Sequence, residues 1–175
     1  MNKTKTHAAI LDMALFAMLG AVLFVLKIVF EPLPNIHPVC ALIMTYTVVF
    51  RRRAFIPVGV FVLVSGVFYG FDIWWLPQLY LWFIYVLLTL TVPKNISKKA
   101  AAIVYPVLCA LFGLIYGILY APGQALLFGY DFTKTIRWIE AGLPFDALHA
   151  AGNFGFGLLI LPLSELMKKL YAKIK

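Results

Sequence analysis

Six apolar stretches, each ended by a short run of charge, proline or glycine, dictate what this chain can fold into. They cover about residues 9–30, 38–50, 54–69, 76–92, 100–120 and 144–163. A helix that crosses a bilayer needs roughly 20 predominantly apolar residues. Five of the six stretches approach that length, and the second reaches it only by borrowing residues from Leu33 onward. The sequence therefore predicts an all-α integral membrane protein with six transmembrane helices. Composition agrees: 63% of the 175 residues are hydrophobic and only 13% are charged, against about 25% charged in soluble domains. The whole chain, residues 1–175, reads as a single transmembrane domain without linker, repeat or low-complexity segment. Its first apolar run, broken only by Asp12 and Lys27, is too long for a signal-peptide core and is expected to stay as the first helix.

The basic residues give the orientation. Counted from the N-terminus, one side carries Lys3, Lys5, Arg51, Arg52, Arg53, Lys94, Lys98, Lys99, Lys168, Lys169, Lys173 and Lys175. The other carries Lys27, Lys134 and Arg137. Cytoplasmic loops collect Lys and Arg, so both termini are expected in the cytoplasm and the number of crossings is expected to be even. The formal charge of +8 follows from this topology. Nucleic-acid binding is excluded, because such short basic loops build neither a basic stripe nor a stacking platform.

The outer side has a different chemistry. Its segments are irregular and rich in rings, proline and glycine, and a long outer loop is expected from Ala121 to Leu143. Trp74, Trp75 and Trp138 fit an aromatic belt at the headgroup level, but they cluster with Asn35, His37, Asp72 and Gln78. In the sixth stretch Asp146, His149 and Asn153 follow at i, i+3 and i+7, which places them on one helical face. Ionisable groups inside a membrane face a cavity or a partner. That face is expected to look into an outward pocket near Pro144, which opens the helix; an interhelical hydrogen-bond network without ligand is the alternative. Ala147, Ala151 and Gly155 lie on nearly the opposite face as a small-residue stripe for another helix. Cys109, Gly113, Gly117 and Ala121 in the fifth stretch read as internal packing. Lys27 is explained by Glu31 four residues on, or by snorkelling.

Catalysis is not indicated. The chain has no Gly-x-Ser-x-Gly, no His-Glu-x-x-His and no Walker A sequence. Cys40 and Cys109 both lie in apolar stretches and form no disulfide framework or metal spacing. No cofactor or metal is called for. On the first helix Ala17 and Ala21, extended by Ala14, form a stripe where larger apolar residues would suit pure lipid better, which marks a close helix contact.

The topology, the Ala17-x-x-x-Ala21 stripe and the segments PLPNIHPV, FYGFDIWWLPQLY and GLPFDALHAAGNF together resemble the substrate-binding S-components of energy-coupling factor (ECF) transporters. The resemblance covers most of the chain. It implies a multi-pass protein of a prokaryotic plasma membrane that captures a vitamin outside and delivers it inward by toppling. It implies three partners: a membrane coupling protein (the T-component) and two cytoplasmic ATPases. The helix-one face of Ala14, Ala17 and Ala21 would dock on the T-component. The subfamily it looks like is associated with cobalamin; folate, riboflavin and pantothenate stay open, because aromatic faces stack on any planar ring. Metal-transporting members place His directly after the initiator Met, where this chain has Asn2. The expected pocket lining is Asn35, His37, Asp72, Trp74, Trp75, Gln78, Trp138, Asp146, His149 and Asn153. A small ion- or proton-coupled carrier using Asp146 and His149, and a noncatalytic assembly factor, are the rival readings.

Overall fold

The computed structural model describes the backbone of residues 3–174 and side chains from Ala9 onward. Asn2, and with it the comparison to metal-transporting members, lies outside the described residues. Within them the chain is helical, without strands. Eight α-helices follow one another: α1 Lys3–Val29, α2 Val39–Phe50, α3 Phe55–Tyr69, α4 Gln78–Leu90, α5 Lys98–Leu114, α6 Tyr116–Phe128, α7 Phe132–Gly157 and α8 Ile160–Ile174. Short 3₁₀ turns, Arg51–Ala54 and Ile73–Trp75, precede α3 and α4.

Three runs are long and apolar enough to cross a membrane alone: Ala9–Val29, Ile73–Leu90 and Lys98–Phe128. A fourth is formed if α7 and α8, bent by 47° at their junction, count as one. The second and third apolar stretches give shorter helices. At 1.5 Å per residue α2 is only about 18 Å long, against a hydrocarbon core of about 30 Å. Its position explains how it can be so short. α2 packs against α1, α4, α5, α7 and α8, and all its residues except Leu42, Val48 and Val49 are buried. A helix enclosed by protein can end at membrane depth, because neighbours rather than lipid receive its terminal polar groups. The Thr45 and Thr47 hydroxyls bond back to the carbonyls of Ala41 and Ile43, each at 2.8 Å, so they cost the core little.

The end of α2 is closed by Arg51, whose φ of 55° is in the left-handed region. That conformation is costly for a side chain other than glycine. The guanidinium compensates by donating to Leu90 O at 2.8 Å and Val92 O at 3.1 Å, carbonyls of the last residue of α4 and of the turn that follows it. Beside it Arg53 pairs with Asp12 at 3.1 Å, and Tyr171 donates to the same carboxylate at 2.8 Å. Asp12, an acid within the first apolar run, is thereby accommodated where α1, the Arg51–Ala54 turn and α8 meet. Lys98 and Glu165 join the start of α5 to α8 at 2.6 Å.

The expected loop from Ala121 to Leu143 is a correction: only residues 129–131 interrupt the helices there. Gly129 ends α6 at φ 62°, a left-handed cap that glycine adopts without strain. Asp131 then starts α7, its carboxylate accepting the Lys134 N–H at 2.7 Å. Consequently Pro144 lies inside α7 rather than opening it.

Candidate functional site

The polar face of α7 is where the chain concentrates buried polar chemistry. Asp146, His149 and Asn153 are 6%, 3% and 1% exposed, and the face turns towards α5 and α6. Two glycines make the approach possible. A Cβ at Gly113 would lie 2.8 Å from Asn153 Nδ2, and one at Gly157 only 2.6 Å from Pro106 Cα. Asn153 Nδ2 donates to Cys109 O at 3.2 Å. The Asp146 carboxylate accepts the Gly117 N–H at 3.1 and 3.2 Å, in the first turn of α6, where an unpaired donor and the helix dipole favour an anion. The small residues of the fifth stretch are thus the seam, as expected. The stripe of Ala147, Ala151 and Gly155 takes no helix among the described residues, and all three residues are exposed. α7 approaches through its polar face because Gly113 of α5, Gly117 of α6 and Gly157 of α7 itself leave the space.

His149 connects this face to a second group of side chains. Its Nε2 lies 3.8 Å from Cys40 Sγ. Its ring centre is 5.3 Å from that of His37 and 5.1 Å from that of Tyr116. The Tyr116 hydroxyl accepts from Gln78 Nε2 at 3.3 Å, and Gln78 Oε1 accepts from the Trp82 indole. From Tyr116 a row of rings continues through Tyr120, 6.0 Å away, to Trp138, stacked on Tyr120 at 6.0 Å and 18°. The Tyr120 hydroxyl donates to Trp74 O at 3.0 Å. Asn35, at φ 59°, reaches Phe145 O from Nδ2 at 3.4 Å; asparagine tolerates this left-handed conformation better than most residues. His37 sits between α1 and α2, and burial, with the Lys27 ammonium adding to it, pushes its imidazole down to about 4. It is therefore neutral at physiological pH.

Two atoms of this cluster, His37 Nδ1 and Asn153 Oδ1, are buried without a hydrogen-bond partner among the described residues. A buried polar atom left unpaired costs about 1–3 kcal/mol.

A separate cavity of about 300 Å³ lies beside the cluster, lined by Lys27, Glu31, Tyr69 and Trp74. The Lys27 ammonium rests over the rings of Tyr69 and Trp74, at 4.7 and 5.3 Å from their centres, while the Tyr69 hydroxyl donates to Glu31 at 3.2 Å. Lys27 is thus held by aromatic faces, and the Glu31 ion pair expected from spacing is not formed among the described residues.

Of the ten residues expected to line a pocket, Asn35, His37, Gln78, Trp138, Asp146, His149 and Asn153 join one contiguous region. Trp74 borders it. Asp72 and Trp75 are not brought into it. Asp72 is exposed and accepts the Ile73 N–H at 2.6 Å, a local cap. Trp75 donates to Val62 O at 2.8 Å and packs edge-on against Phe71, so it anchors the turn onto α3. Sequence reasoning missed Tyr116, Tyr120 and Cys40. The signal for the tyrosines was present: they recur at i, i+4 beside Gly113 and Gly117, on the helix that the polar face meets.

On α1, Ala14, Ala17 and Ala21 are all exposed, and a shallow apolar depression of about 510 Å³ is lined by Met18, Ala21, Val22, Val25 and Leu26. Gly20, between the alanines in sequence, faces the other way, where a Cβ would lie 2.6 Å from Val60 Cβ. Internal packing of α1 therefore uses Gly20 and leaves the alanine face uncovered. Compared with protein-family models, curated proteins and solved structures, the chain matches none.

Proposed function

We propose that this chain is the substrate-capturing subunit of an ECF-type ABC importer, with cobalamin as the first-choice vitamin. In this reading the chain crosses the membrane six times, with α2 as a short, protein-sheltered crossing, α3 as a second short crossing and both termini in the cytoplasm. The cluster around His149 is the outward site. Two imidazoles, a carboxamide and a row of stackable rings suit a large, partly planar, polar organic molecule. The observation that carries the reading is the pair of unpaired buried atoms, His37 Nδ1 and Asn153 Oδ1, which a ligand's donors and acceptors would satisfy. Capture requires the rings from Tyr116 to Trp138 to part. Asp146, already paired with Gly117, serves as the strut that keeps α6 and α7 together.

Delivery would follow docking of the Ala14, Ala17 and Ala21 face on a T-component driven by two ATPases. The uncovered state of that face supports this, because lipid alone gives no reason for a small-residue stripe. Calorimetric titration of the folded, monodisperse protein against a vitamin panel tests the proposal. Binding of cobalamin or another vitamin is expected; no binding by any of them contradicts it. The His37–His149 pair also supports a proton-coupled carrier, which is distinguished by gradient-driven uptake into vesicles containing this chain alone.

A further inference from the structure

A basic cleft lies at the opposite end of the bundle from the His149 cluster. It measures about 820 Å³ and is lined by the Arg51–Arg53 turn, Lys94, Thr91 and the apolar side chains Phe50, Phe55, Leu87 and Leu90. We propose that it binds the headgroup of an anionic phospholipid. Four cations line it and no carboxylate does. Two of the cations have structural work: Arg51 caps α4 and Arg53 pairs with Asp12. Arg52 and Lys94 are exposed and pair with no carboxylate among the described residues, so they are placed to take a phosphodiester. Basic pockets between membrane helices are suited to such headgroups.

The walls identify a lipid rather than a free anion. Leu87, 56% exposed, continues the cleft down the apolar flank of α4. On the other side of the α4 end a second, apolar cleft of about 400 Å³ shares Thr91 and is lined by Ile96, Val104, Val107, Leu108 and Leu111. A headgroup held by Arg52 and Lys94 would therefore have an apolar track on each side for its two acyl chains. A soluble phosphate would use neither.

The test is native mass spectrometry of the detergent-solubilised protein with equimolar dioleoyl phosphatidylglycerol and dioleoyl phosphatidylcholine. Preferential retention of the anionic lipid is expected, reduced about 25-fold in R52Q/K94Q, since each surface cation contributes about fivefold. K168Q/K169Q removes the same charge from α8 and is expected to retain the lipid. Equal loss in both double variants, or unchanged retention in R52Q/K94Q, overturns the proposal. Displacement of the lipid by millimolar inorganic phosphate also overturns it, by assigning the cleft to a free anion. Both variants alter exposed side chains outside the His149 cluster, so vitamin titration of the same samples is expected to be unchanged.

Discussion

Asp146 is an acid within a largely apolar helix, and its environment explains why it is tolerated there. Its carboxylate takes the Gly117 N–H in the first turn of α6, so acid and helix end satisfy each other. Asp146→Ala leaves that donor unpaired and is expected to destabilise the protein by about 1–3 kcal/mol; thermal unfolding in detergent measures it. Gly117→Ala is expected to destabilise as well, because the new methyl would meet the carboxylate. For His37 the sign is set by its lowered value. The folded state holds a neutral imidazole down to about pH 4, while the unfolded chain protonates near 6.5. The unfolded state thus binds more protons between these limits. Stability from this residue is complete above about pH 6.5 and is lost as pH falls towards 4. Unfolding midpoints between pH 7 and 4.5 should fall less steeply in His37→Gln than in the native chain. The i, i+3, i+7 spacing made one face of Asp146, His149 and Asn153 legible in the sequence. Its partners were not, since Gly117 and Cys109 lie on another helix and periodicity carries no interhelical register.

The elements differ from the sequence expectation where capping, not hydropathy, sets the boundaries. Residues 132–143 are too polar to read as a span, yet Gly129 and Asp131 end one helix and start the next. A stop glycine two residues before an N-cap aspartate was the available signal. The short second stretch was legible as short, but its central position was not, because a helix that is apolar all round has no face to assign. What fixes α2 is its exit through Arg51. Arg51→Ala removes two charge-assisted bonds to Leu90 O and Val92 O and is expected to cost about 3 kcal/mol or more, at 1.5–3 kcal/mol per bond. Arg51→Gly relieves the left-handed backbone and is expected to lose less. A smaller loss in Arg51→Ala than in Arg51→Gly, by chemical or thermal unfolding, would contradict the lock.

For the whole molecule, the two ends of the bundle carry different chemistry, and this was the most legible feature of the sequence. Basic residues, with the Asp12–Arg53 and Lys98–Glu165 pairs, gather at one end; imidazoles, amides and stacked rings gather at the other. The alanine face of α1 connects these two ends and remains open. Because Ala17 and Ala21 are exposed, A17L/A21L is expected to leave the unfolding free energy within about 0.5 kcal/mol of native. Under the proposed function, the same variant is expected to abolish copurification with the proposed coupling module; retained copurification would remove α1 as the docking face. The central claim is that the His149 cluster holds the cargo. Its most direct test is the affinity of His149→Ala, confirmed as folded, for whichever vitamin the native protein binds. The account predicts binding weakened about tenfold or more, the loss of roughly one hydrogen bond and one ring contact. Affinity equal to that of the native protein would contradict it.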